Sequence, residues 1–285
     1  MTKKTQGILW MLMSVIGFTA MSLFIKYIPH ISMYEKLFFR NLINGFMSFI
    51  FIIKNNKTLK VEKAHLPFVL GRAIFGALGM AANFYAIEYL TIADANMLNK
   101  LSPVFVTICA CYFLKEKIDK QQIIGIIFML IAVVFVVKPG NSFTLFPSLV
   151  GIFGALTAGF SYTIIRYLNN KVESEVIIFY FSIITVVGTF PLMMLNFHMP
   201  TSTELLILIG IGLSATFGQF GLTYAYKLTP ASEVSIYNYA IIITGMISGY
   251  IFYNEIPDKF SSIGALIILC TATYLYNHNK KKLSN

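Results

Sequence analysis

Charge is scarce in this chain. Only 12% of its 285 residues are charged and 57% are hydrophobic, whereas soluble domains carry about 25% charged residues. No single soluble core could hide that much apolar side chain, so the solvent of most of the surface is expected to be a lipid bilayer. Cysteine is reduced to three residues, Cys109, Cys111 and Cys270, all inside apolar runs. That excludes a disulfide framework and a cysteine-based metal site. The four histidines (His30, His65, His198, His278) are scattered near run ends, and none stands at catalytic spacing from an acid or cysteine. They are expected to be interfacial or loop residues, so no metal and no cofactor is expected. No G-x-x-x-x-G-K-[ST] loop occurs, so uphill work would have to draw on an ion gradient or on exchange. No acid lies deep within an apolar run, which leaves a carboxylate proton relay without support. A membrane-embedded enzyme would need a convergent nucleophile, base or metal cluster, and none is evident. The formal charge of +10 does not imply nucleic acid, because the basic residues form short clusters between apolar runs and no folded basic module is present.

What the chain has instead is length in apolar runs. A bilayer core needs about 20 mainly apolar residues per helix. Ten such runs occur, at 7–25, 33–53, 66–87, 93–114, 122–137, 149–168, 176–195, 204–226, 232–253 and 260–276. The first follows two lysines and resembles a signal peptide, but it continues to about Phe24 with no small-residue cleavage site, so it is read as a retained span. Short turns such as KPGNSF, HMPTST, LTPAS and NEIPDK join the runs. The expected class is an all-α integral membrane protein with ten transmembrane helices. If the N-terminus is cytoplasmic, fifteen Lys and Arg fall on its side, four fall opposite (Lys26, Lys36, Lys138, Lys259) and three lie within spans (Arg40, Arg72, Lys100). This imbalance predicts that both termini face the cytoplasm. Nothing in the sequence sets an oligomeric state.

A shift of 139 residues superimposes the two halves without a gap. Gly71 then meets Gly210, Gly79 meets Gly218, Tyr85-Ala86 meets Tyr224-Ala225, Asn99 meets Asn238, Glu116 meets Glu255 and Asp119-Lys120 meets Asp258-Lys259. Five spans per half is an odd number, so the second half enters the membrane inverted. The units are read as 7–138 and 149–277. Inverted five-span repeats belong to secondary carriers, with the substrate site where the halves meet. The stretch 71–137, with NFYAIEYL, LSPVFVTI and LKEKID, resembles the EamA-type repeat of the drug/metabolite transporter superfamily, and 210–276 resembles it more loosely, with Ile242 in place of Pro103. The resemblance implies a ten-helix carrier in the cytoplasmic (inner) membrane, working by alternating access on small organic solutes. A passive facilitator or channel is the close alternative.

The intramembrane polar residues fall on stripes at helical spacing. Asn96, Lys100, Pro103 and Thr107 form one, with Asn99 at its edge; Arg72, Gly76, Gly79 and Asn83 form another. Arg40 with Asn44, Trp10 with Ser14 and Gly17, and Asn238 with Tyr239 add to these. Arg40 and Lys100 each lie about seven residues, or roughly 10 Å, from the end opposite the termini. With Asn83 and Asn96 they are expected to converge on an outer vestibule, with Asn238 at the mirrored depth. Lys100 and Arg40 would attract a carboxylate or phosphate, the asparagines would orient it, and Trp10, Tyr237 or Tyr239 would contact an apolar body. The bland alternative pairs Lys100 or Arg40 with Glu35, Glu88 or Asp94 as helix fasteners. Arg72, near the other end, reads as a snorkelling anchor. Pro103, which interrupts the helical hydrogen-bond ladder, and Gly245 and Gly249 would allow bending during gating.

Overall fold

A computed structural model describes residues 2–113, 115, 118–138, 142–168, 171–195, 197–228 and 231–284. The chain runs α1 (Lys3–Tyr27), α2 (Met33–Lys54), α3 (Leu66–Tyr89), α4 (Ile92–Asn99), α5 (Ser102–Phe113), α6 (Lys120–Val137), α7 (Ser142–Leu168), α8 (Ser174–Leu195), α9 (Ser202–Leu228), α10 (Ala231–Asn238), α11 (Ala240–Tyr253) and α12 (Lys259–Ser284). Polar residues set the starts. Thr2, Ser32, Thr91 and Asp119 accept from the first turn of their helices, Asp119 in a reciprocal capping box with Gln122. Among the described residues nine stretches are long and apolar enough to cross a membrane; α4 with α5 supplies the tenth crossing in two pieces.

Ten crossings put both termini on one face, called here the terminal face, with the α1–α2, α3–α4, α6–α7, α8–α9 and α11–α12 connections on the opposite, distal face. The fold is two inverted five-helix units. Its contacts obey the repeat: α1 packs on α9 as α7 packs on α3, while α2 meets α8 and α6 meets α12. Small residues allow the first two approaches. A Cβ on Gly17 would stand 2.7 Å from the Gly218 backbone nitrogen, and one on Gly79 would stand 3.0 Å from the Ala158 nitrogen. Gly17→Ala is therefore expected to cost about 1–3 kcal/mol, the usual price of overpacking, because backbone cannot step aside as a side chain can. Thermal unfolding in detergent measures it.

Two of the ten crossings are broken. The first parts at Lys100, where Pro103 has no N–H to give the Asn99 carbonyl; Leu101 N–H turns back to Leu98 O at 3.0 Å. The second parts at Tyr239, whose N–H reaches Ile236 O at 3.1 Å. Lys100 and Tyr239 are equivalent under the 139-residue shift. Gly245 and Gly249 both lie inside α11, where Gly245 faces Asn96 and Gly249 makes room for Glu255. Glu116, the repeat partner of Glu255, lies outside the described residues, but the residues just before them, Lys115 and Asn254, share a left-handed backbone (φ 55° and 52°).

Candidate functional site

The two breaks meet. Lys100 Nζ donates to Asn238 Oδ1 at 3.0 Å and stands 5.8 Å from the centre of the Tyr239 ring. Lys100 and Tyr239 are mates under the repeat and touch each other, so they straddle the pseudo-twofold axis, which lies in the plane of the membrane. Each is eight residues into its crossing, about 12 Å from its own face at 1.5 Å per residue. The contact therefore sits near the middle of a core about 30 Å thick. Asn238 shares that level with Lys100, which corrects the expectation of two separate depths.

Other groups gather around the break. Asn99 Nδ2 donates to Asn83 Oδ1 at 3.2 Å. Asn96 is buried, and its Nδ2, beside Gly245 of α11, has no hydrogen-bond partner. Tyr237, one residue before Asn238, packs with Met11, Val234 and Trp10. Trp10 stacks near Tyr224, with ring centres 5.1 Å apart, and with Gln6, Leu9 and Met13 it lines an open cavity of about 490 Å³ in the terminal half of α1. The side chains of Ser232 and Ser235 lie outside the described residues. Arg40 does not join this group. Its guanidinium bonds Asn41 at 3.0 Å and faces Phe181 of α8. Nor does Arg72 snorkel: it is 5% exposed, held against Phe181. The proposed helix fasteners are engaged elsewhere, Glu88 with Lys36 at 2.5 Å, Asp94 with Lys138 at 3.4 Å, and Glu35 with the backbone N–H of His198 at 3.4 Å.

The distal side of the site is shut by contacts between the two units. The Glu255 carboxylate pairs with Lys26 and accepts from Ile92 N–H at 2.9 Å, the amino end of α4. An anion is favoured there by the helix dipole. Lys26 also donates to Leu90 O at 2.7 Å, Tyr253 Oη to Leu23 O at 2.7 Å, and the Thr19 and Thr244 hydroxyls meet at 2.7 Å. Lys138 holds Asp258 at 2.9 Å. Burial tends to raise the Asp258 pKa, but the Ser261 N–H and Lys138 outweigh it and hold the carboxyl below its ordinary value. Its pairing therefore persists above the ordinary aspartate pKa and fades only as pH falls through the lowered one. Further out, Glu204 receives His30 at 2.5 Å and lies 3.6 Å from His198. These three groups fall within 4.8 Å of one another, a meeting that the separation of His30 and Glu204 by 174 positions conceals in the sequence.

The terminal side is built differently. On the distal half α4 packs on α11 and α12; the repeat-related pairs, α10 with α5 and with α6, make no comparable contact among the described residues. On this face α1 packs on α10, with Met11 and Trp10 against Ala225, Val234 and Tyr237, and further out Lys57 pairs with Glu173 and Glu175 at 2.7 and 2.9 Å and His278 with Asp119 at 3.2 Å. The breaks are thus sealed from the distal face, and the α5–α10 packing that would mirror this seal on the terminal face is missing among the described residues.

A family model described as the EamA-like transporter family matches residues 5–138 and again 145–277. The chain belongs to the EamA-like transporter family. Among relatives of this EamA-like transporter are the pseudopaline exporter CntI of Pseudomonas aeruginosa, 28% identical over 86% of this chain and 87% of that protein, and the S-adenosylmethionine uptake transporter of Rickettsia prowazekii, 26% identical over 98% and 95%. A crystal structure overlays 92% of this chain and 95% of its own at a TM-score of 0.64 with 14% identity, which shows a common fold. The protein is a multi-pass membrane transporter for small molecules and not an enzyme.

Proposed function

We propose that the chain is a secondary carrier for a small organic metabolite with an acidic group, working by alternating access across the cytoplasmic membrane. The units 7–138 and 149–277 rock about the paired helix breaks. The positive-side imbalance supports a cytoplasmic terminal face, in which case the conformation described opens to the cytoplasm and is closed outside. Lys100 receives the acidic group, Asn83, Asn96, Asn99 and Asn238 orient it, and Tyr239, Tyr237 and Trp10 line the way in. Arg40 belongs to a different part of the molecule.

One observation carries this reading: an ammonium near mid-membrane whose nearest partners are an amide and a ring, with no carboxylate paired to it among the described residues. A lysine at that depth costs about 2.5–3.5 kcal/mol on insertion scales. As a mere helix strut it would be an expensive one, since a neutral side chain can bond an asparagine too. The relatives' names, one an exporter and one an uptake transporter, fit a family that handles organic solutes in both directions.

The test is a thermal-shift screen of purified protein against amino acids, organic acids, nucleotides and neutral vitamins. A ligand at about 100 times its Kd adds about 2.7 kcal/mol, enough to move the midpoint by several degrees. Stabilisation is expected from compounds with a carboxylate or phosphate. Stabilisation by neutral compounds alone would refute the acidic-group reading.

A further inference from the structure

Arg40 on α2 and Arg72 on α3 are each only 5% exposed within membrane-spanning helices. Their guanidinium carbons lie 6.0 and 4.1 Å from the centre of one ring, Phe181 of α8. The two cations are near enough to act on each other electrostatically. Arg40 spends one N–H on Asn41, and its Nε has no partner. Neither Nε nor Nη1 of Arg72 has one. The neighbourhood is shaped around these groups. A Cβ on Gly76 would lie 2.8 Å from Arg72 Nη1, so only glycine leaves that guanidinium its place. Ser161 of α7 donates to the Arg72 carbonyl at 3.0 Å, and Tyr162 is within electrostatic reach of both arginines.

Two neighbouring buried cations repel, and a buried charge without a counter-charge is costly. A ring face attracts a guanidinium but cannot neutralise two. Of the acids on α2, α3 and α8, Glu35 accepts from the His198 N–H at the distal end, its other oxygen having no partner, Glu88 pairs with Lys36, and Glu175 pairs with Lys57 at the terminal end. Planar N–H forks left open are the donors that carboxylate and phosphate oxygens match.

We propose that Arg40 and Arg72 form a second anion subsite, between α2, α3, α7 and α8, that takes a phosphate or carboxylate group. It is separate from the helix break and does not depend on the role of Lys100. The oxyanion comes either from a free solute or from an acidic lipid headgroup, and one experiment tells these apart. The full chain in non-ionic detergent is unfolded by heat while titrated with inorganic phosphate at fixed ionic strength, and separately with phosphatidylglycerol against phosphatidylcholine. Wild type, Lys100→Gln, and Arg40→Gln and Arg72→Gln each combined with Lys100→Gln are compared. A saturable rise in midpoint that survives Lys100→Gln is expected, with apparent affinity at least tenfold weaker once either arginine change is added. A response to phosphate assigns a soluble anion, and a response to phosphatidylglycerol alone assigns lipid. Should Arg40→Gln not fold, Arg72→Gln and Arg72→Lys carry the comparison, the lysine expected to keep part of the response. No response in Lys100→Gln, or an equal one after either arginine change is added to it, would overturn the proposal.

Discussion

Lys100→Gln is expected to weaken binding of the acidic solute about 10- to 100-fold while the unliganded protein keeps or gains thermal stability. A hydrogen bond to a charged group contributes about 1.5–3 kcal/mol, and each 1.4 kcal/mol is about a factor of ten. Glutamine can still donate to Asn238, so the neutral contact survives. The insertion cost of an ammonium near mid-membrane disappears at the same time. The two readouts together separate the roles. A site residue loses the solute response without loss of midpoint. A strut between the breaks lowers the midpoint and leaves the solute response of the remaining folded protein intact. Titration calorimetry and thermal unfolding on one preparation give both.

Glu255→Gln is expected to produce the other large effect, opening the distal face. This carboxylate is where the units are most tightly joined on that side, holding Lys26 from α1 and the amino end of α4 at once. Losing one partner of a desolvated hydrogen-bonded charge pair costs about 2–5 kcal/mol, which shifts the equilibrium between closed and open outer faces by a factor of about 30 or more. The reporter is a cysteine at Asn96, buried between α4 and Gly245 of α11, in a background lacking Cys109, Cys111 and Cys270. An impermeant maleimide applied from the distal side should label it slowly in the parent and at least tenfold faster with Glu255→Gln. Equal rates would mean that Glu255 holds no gate.

Much of the architecture was legible in the residues, and the limits have physical causes. Apolar runs of membrane length and a fixed 139-residue register needed no tertiary knowledge, because lipid dictates the first and gene-level repetition preserves the second. The break at Lys100 was half visible through Pro103. Its counterpart at Tyr239 was not, since Ile242 stands where the proline would be and no residue nearby forbids a continuous helix. Depth counted along a helix set how far Lys100 and Asn238 lie from their own faces, but not that they face each other. That Arg72 anchors inside the protein and does not snorkel escapes the pattern for a related reason. Its distance from the helix end permits snorkelling, yet Phe181, from a distant helix, gives the guanidinium a place inside. The acids expected beside Lys100 went to Lys36 and Lys138, and Lys26 found Glu255 across 229 residues. Such partners are chosen by helix packing, which pattern alone does not contain. Lys57 is an outlying case: burial lowers its pKa, but the Glu173 and Glu175 carboxylates more than compensate and raise it, so this terminal-face link contributes below the ordinary lysine pKa and is lost only as pH climbs through the raised one.

The most direct measurement is the sidedness of labelling at the helix break, using a cysteine at Asn238 in oriented membranes with impermeant maleimide added to one face at a time. Reaction from the terminal face, none from the distal face, and slowing by the best acidic ligand of the thermal-shift screen are expected. Labelling from neither face would mean that the paired breaks form a dry joint and not a solute site, and labelling from the distal face alone would contradict the closure assigned to that side.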